Sequence, residues 1–182
     1  MTDLLVVVAV PQEAAHLRHV DVVLTGIGKV AAAVAVSRAI AERRPARVLN
    51  IGTAGALHDG WEGVHRIGRV IEHDVDHAAL SALVGQDLEG EVVLDPSLPT
   101  VLATGDAFVA DPAVRQALAQ RAHLVDMEGY AVAMSCAAAG VPCDLVKVVS
   151  DTASDDAART WLEQADATAR TIATVVAEHL HR

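Results

Sequence analysis

The chain has 182 residues with a formal net charge of −10 from 14 basic and 24 acidic residues; 52% are hydrophobic and only 2% aromatic. That length supplies one domain with a full core, and the apolar content excludes a disordered chain. The acidic balance argues against nucleic acid or an anionic membrane as the main partner, and leaves a small neutral or cationic ligand open.

The longest apolar run near the start, Leu4–Pro11, is far short of the roughly 20 residues of a membrane span. No basic stretch precedes it, so no signal peptide is expected. The two cysteines, Cys136 and Cys143, lack CxxC spacing. A cytoplasmic chain with reduced thiols is the expectation.

In chain order, Leu4–Val10 reads as a fully buried strand, continuous and rich in β-branched residues. A short helix is expected over Gln12–His19 and a second strand over Val20–Thr25, ended by Gly26-Ile27-Gly28. Lys29–Arg44 has the apolar spacing of a helix, stopped by Pro45. Arg47–Ile51 is a third buried strand, with Gly52-Thr53-Ala54-Gly55 opening a loop that runs through Gly63. Arg66–His73 reads as one strand. Within residues 78–99 the signal is weak, with a short strand near Glu91–Leu94. Thr100–Ala103 is another strand, and Asp111 with Pro112 can cap and start a helix. His123–Val125 is a short strand. Glu128–Ala139 is an Ala-rich helix closed by Gly140, with Pro142 beyond. Asp144–Val149 is the last strand, and Asp155–His181 a long amphipathic helix.

This alternation predicts an α/β fold: one domain over residues 1–182, three layers α/β/α around a mainly parallel or mixed sheet. Glu13, Gly26, Gly28, Asn50, Gly52, Thr53, Phe108, Glu128 and Asp151 all follow strands. If the strands are parallel, these points meet at one sheet edge, where ligands of open α/β sheets bind.

Taken singly, these residues have ordinary explanations. Asp151 can cap a turn, and Glu128 and Glu13 can sit in first helical turns favoured by the helix dipole. Phe108 can be core. Gly26-Ile27-Gly28-Lys29 invites a phosphate loop, but it lacks the upstream glycine and the Ser or Thr after the lysine. Tight strand-to-helix turns explain its glycines better. His73, Asp74, Asp76 and His77 invite a metal site, but no second ligand group accompanies them. Polar surface contacts are expected there instead, and no metal or cofactor is implied.

The order of the motifs changes the balance. Ala9–Glu13, Thr25-Gly26-Ile27-Gly28-Lys29-Val30, Asn50-Ile51-Gly52-Thr53-Ala54-Gly55, His73-Asp74-Val75-Asp76, Gly105-Asp106-Ala107-Phe108-Val109, Val125-Asp126-Met127-Glu128 and Val149-Ser150-Asp151 run in sequence across nearly the whole chain. Together they resemble the nucleoside phosphorylase and nucleosidase superfamily, and within it the methylthioadenosine/S-adenosylhomocysteine nucleosidase type. The resemblance implies a nucleoside phosphorylase-like fold and hydrolysis of the N-glycosidic bond of a purine nucleoside. It implies a homodimer as well.

By this resemblance Asp151 is the acid that protonates the purine, Glu13 the carboxylate that activates water, and Glu128 the group that grips the ribose hydroxyls. Met127 would pack on the sugar, Phe108 stack on the base and the Val109 backbone read its edge. Thr53, Gly55 and Ser150 would complete the pocket. The general-acid role needs a carboxyl that stays protonated near neutral pH.

Water or phosphate as nucleophile is the main fork. The phosphorylase branch holds phosphate with cations. Here Val10-Pro11-Gln12-Glu13 and Asn50 stand where that branch carries its Gly-Asp-Pro loop and arginines, and Glu13 would repel an anion. Hydrolysis is therefore expected over phosphorolysis or non-catalytic nucleoside binding. The chain also departs from the pattern. It lacks the extra strand pair between His19 and Val20 and is cut short after Asp76. Thr53 replaces the usual Ser, and Lys147 replaces Arg. These changes leave a different nucleoside, including a futalosine-like one, open.

Overall fold

A computed structural model describes residues 4–153 and 157–180. The expected ends of the last helix, Asp155 and His181, lie outside the described residues.

The strand β1 (Leu4–Val8) is apolar on both faces because both are covered. Leu5 and Val7 face α1 (Lys29–Arg43) and α4 (Gly129–Ala139). Val6 and Val8 face α5 (Ala157–Leu180). The same alternation continues in β3 (Arg47–Ala56), where Val48 joins the first cluster and Leu49 and Ile51 the second. The expected α/β/α layering follows from this two-sided burial.

Helix α1 stops where Arg44 turns into the left-handed region, its N–H bonding back to the Ile40 carbonyl, with Pro45 next. Helix α4 ends in the same way at Gly140. In α5, Ala157, Thr168, Ala169, Ile172, Val175, Val176 and His179 form a buried stripe at helical spacing.

The other elements are β2 (Val22–Leu24), β4 (Val64–Arg66), β5 (Arg69–Glu72), α2 (His77–Val84), β6 (Glu91–Val93), β7 (Val101–Thr104), α3 (Pro112–Ala119), β8 (Leu124–Asp126) and β9 (Cys143–Asp151). One mixed sheet runs β2-β1-β3-β8-β7-β5-β6, with β9 and β4 continuing from β3. No helix among the described residues is long and apolar enough to cross a membrane.

Three expectations need correction, and one weakly marked stretch contains a helix. Residues 12–19 form successive turns held by short-range bonds, such as Leu17 N–H to the Ala14 carbonyl, rather than a helix. Glu13 there is drawn across to β3, where its carboxylate accepts from the Thr53 N–H and hydroxyl. The Gly52–Gly55 segment is strand, not loop: β3 pairs with β9 from Val48 to Gly55, with one irregularity at Ala54/Gly55. The strand expected over Arg66–His73 is two strands, broken at Gly68, whose carbonyl accepts from Leu94 and Asp95. The unread stretch after Asp76 contains α2, capped by Asp76 at one end and Gly85 at the other.

The sheet also does not deliver its strand ends through uniform parallel order. β2, β1, β3 and β9 run parallel to one another. β8, β7 and β5 form a second parallel set. The two sets meet antiparallel at Gly55–Val125 and Ala56–Leu124. Their C-terminal ends therefore point toward one another across a shared crevice.

Candidate active site

β3 pairs with β1 over Arg47–Asn50 and with β8 only from Gly55. Between those stretches the sheet splits, and the gap opens into a cavity of about 210 Å³. All nine site residues expected from the sequence line it: Glu13, Thr53, Gly55, Phe108, Val109, Met127, Glu128, Ser150 and Asp151.

Glu13 occupies the split itself. Its Oε1 accepts from the Thr53 N–H and the Thr53 hydroxyl, each at 2.7 Å. The Val10 N–H reaches Oε2 only at 3.4 Å. The carboxylate thus stands in for the missing strand as acceptor, and is only 5% exposed.

Asp151 ends β9 on the opposite wall and is 7% exposed. Its Oδ1 accepts from the Ala153 N–H at 2.8 Å and its Oδ2 from the Ser150 hydroxyl at 2.9 Å. Burial pushes its carboxyl above the ordinary value, and these two donors offset only part of that rise. Gly55 is obligatory beside it: a Cβ there would stand 2.9 Å from Asp151 Oδ1 and 3.1 Å from the Ala153 methyl.

Glu128 sits just before α4 and is 8% exposed. Burial, then the charge of Asp126, raises its carboxyl from 4.5 to about 7. The Gly28 N–H donates to its Oε1 at 2.8 Å and works against that rise. Gly28 has φ 94, a backbone that L side chains rarely adopt, and this directs the amide at Glu128.

The segments that invited phosphate-loop and metal readings join in one scaffold beside the cavity. Lys29 Nζ pairs with Glu72 and Asp74, both at 2.6 Å. Asp74 accepts from the Asp106 N–H, and Asp106 accepts from the Lys29 N–H. Glu72 also meets His77 at 2.8 Å. The Gly28 turn, β5 and the Phe108 loop are thereby tied together. Phe108 is not core: it is 51% exposed at the cavity.

Below the cavity lies a buried ion pair. Lys147 Nζ donates to Asp126 Oδ2 and Asn50 Oδ1, both at 2.9 Å. Asp126 also accepts from the Thr104 hydroxyl and the Gly129 N–H. Burial pulls the lysine pKa down, but the charges of Asp126, Glu128 and Glu13 outweigh it and hold the value above normal.

The described lining contains four carboxylates, Glu13, Asp126, Glu128 and Asp151, and no lysine, arginine or histidine. The Phosphorylase superfamily model matches residues 15–98 and 65–182. The chain belongs to that superfamily.

Its superfamily relatives include the 5′-methylthioadenosine/S-adenosylhomocysteine nucleosidase of Shewanella sp. (strain W3-18-1), 31% identical over 166 aligned positions that cover 75% of this chain and 70% of the relative. The Neisseria meningitidis nucleosidase of the same name, solved with methylthio-immucillin-A, superposes with a TM-score of 0.83 at 26% identity, covering 96% of each chain. Helicobacter pylori futalosine hydrolase shares the fold, with a TM-score of 0.84 at 23% identity over 95% of this chain and 94% of its own. The superfamily and the nucleosidase type inferred from seven motifs both stand.

Sequence reasoning missed two participants. Asp126 was quoted only as part of a motif. Its signal was Lys147, a charge inside the apolar run of β9, which requires a buried partner. Trp161 lines the cavity from α5, and its indole N–H donates to the Thr53 hydroxyl at 3.0 Å. It extends the stripe of Ala157 and Thr168, so its inward direction was legible, but its partner was not.

Proposed function

We propose that this chain hydrolyses the N-glycosidic bond of a purine nucleoside of the methylthioadenosine type, giving free purine and a ribose derivative. The lining carries this choice: it presents the Glu13 carboxylate and, among its described residues, no lysine, arginine or histidine, so the cavity disfavours phosphate as nucleophile and leaves water.

In this reading Asp151 donates its proton to the five-membered ring of the purine as the bond from C1′ to nitrogen breaks. Its raised pKa suits a carboxyl that must carry a proton near neutral pH. Water adds to C1′ and gives up a proton to Glu13. Glu128, as carboxylate, accepts from the ribose diol and favours the positive charge developing on the sugar. Met127 packs on the sugar, Phe108 stacks on the base and the Val109 backbone reads its edge, with Thr53, Gly55 and Ser150 completing the walls.

The homodimer belongs to the same proposal. Val30 and Val34 are exposed one turn apart on α1, and Ile27, just before the helix, is exposed at the cavity, an apolar patch suited to a second copy. Sedimentation should give a dimer at micromolar concentration; a monomer would remove this part.

The test of the chemistry is Asp151→Asn on adenosine, inosine, methylthioadenosine, S-adenosylhomocysteine and futalosine, read as base release. Turnover should fall at least about tenfold on any nucleoside the wild type cleaves. Unchanged turnover would remove Asp151 from the mechanism.

A further inference from the structure

Resting on the hydrolytic reading above, we propose that Trp161 is a positioning residue for water activation. Its indole N–H commits the Thr53 hydroxyl hydrogen to Glu13 Oε1 and so leaves Oε2 as the oxygen that takes the proton from water.

The hydrogen-bond inventory carries this. An indole N–H is a donor only, whereas a threonine hydroxyl both donates and accepts and is free to rotate. Trp161 Nε1 lies 3.0 Å from Thr53 Oγ1, so the hydroxyl oxygen is the acceptor in that contact. Its own hydrogen then points to its other near neighbour, Glu13 Oε1, at 2.7 Å. The Thr53 N–H adds a second donation to the same oxygen, also at 2.7 Å.

The two carboxylate oxygens are therefore unequal. Oε1 holds two short bonds, and an oxygen so engaged is the weaker base. Among the described residues, Oε2 receives only the 3.4 Å approach of the Val10 N–H. Without the indole, the Thr53 hydroxyl oxygen loses the donor that polarises its O–H toward Glu13, and the bond that helps fix the carboxylate's plane weakens. Trp161 is half-buried and reaches Thr53 from a helix 108 positions later in the chain, so the first turns of α5 hold the proton acceptor in register with β3.

The test compares wild type, Trp161→Phe, Thr53→Val and the double variant on the best cleaved nucleoside. Trp161→Phe keeps an aromatic ring in the cavity wall and removes the donor, at the cost of a smaller side chain. It should lower kcat about three- to tenfold, the value of one ordinary hydrogen bond, with KM within about twofold. The double variant should be no slower than Thr53→Val alone, because both changes break one relay. Thr53→Ser keeps the hydroxyl, so adding Trp161→Phe to it should still lower kcat about three- to tenfold relative to Thr53→Ser alone; this arm decides the matter if Thr53→Val does not fold. Losses that multiply, an effect confined to KM, or an unchanged kcat in Trp161→Phe would overturn the proposal.

A second readout needs no turnover. The indole N–H signal of Trp161, assigned by its disappearance in Trp161→Phe, should shift and exchange faster with solvent in Thr53→Val. A signal indifferent to Thr53 would overturn the relay. A wild type that releases base only with phosphate would instead sink the hydrolytic reading, and the indole signal would still decide the relay.

Discussion

The floor of the cavity and the scaffold at its rim are built from the same materials, lysines paired with acids, in different surroundings. On the floor, the Lys147 and Asp126 side chains are 3% and 2% exposed. At the rim, those of Lys29, Glu72 and Asp74 are 14%, 13% and 26% exposed. Water can replace a lost partner at the rim but not on the floor. Both regions act on Glu128: the floor places the Asp126 charge beside it, and the rim holds the Gly28 amide against it. Burial raises the Glu128 carboxyl most and the Asp126 charge on the floor adds to it, while the Gly28 amide at the rim opposes the rise and fixes where the group points.

The largest expected effect breaks the floor. Lys147→Met leaves Asp126 buried without its cation and should cost about 3–5 kcal/mol of stability, measured by urea unfolding. A loss under about 1 kcal/mol would mean that water reaches the site.

Glu128→Gln gives the next effect, and its sign is opposite. The folded chain holds the Glu128 proton more tightly than the unfolded chain does, so ionising this group removes stability as pH rises from about 4.5 to about 7. Glu128→Gln should therefore be more stable to urea than wild type above pH 7, by about 3 kcal/mol, and match it near pH 4. The same titration should appear in catalysis, with wild-type kcat/KM falling as pH drops below about 7, while the variant loses at least about tenfold in rate. Equal stabilities at pH 8 would contradict the raised pKa.

The smallest effect is at the rim. Lys29→Met should cost about 1 kcal/mol in stability. It should also raise KM about two- to fivefold, by freeing the Gly28 turn and the Phe108 loop. A rim variant as damaging as the floor variant would erase the contrast.

Much of the site was legible because each of its residues follows an apolar run, and the runs mark the strands. The long helices were legible for a similar reason: the αL stop before Pro45 and the Gly140 cap are written in the sequence. The direction of the strands was not. Apolar periodicity gives burial but not pairing, so the head-to-head meeting of β3 and β8 had no local signature. Gly52–Gly55 misled because glycine normally marks a loop. Here its smallness serves the neighbours, since Asp151 packs against the bare Cα of Gly55. Helix α2 was missed although Leu80, Leu83 and Val84 stand at helical spacing and Asp76 and Gly85 were there to be read as caps; the stripe is short, and none of the helix is buried. The Trp161–Thr53 contact joins elements far apart in the chain and has no sequence signal at all.

The most direct measurement runs the reaction on methylthioadenosine or its best-cleaved analogue in ¹⁸O-labelled water, with phosphate absent and then in excess. Hydrolysis predicts one labelled oxygen at the sugar C1′, the same rate in both conditions, and no sugar phosphate. Base release that appears only with phosphate, with an unlabelled sugar phosphate as product, would contradict the account.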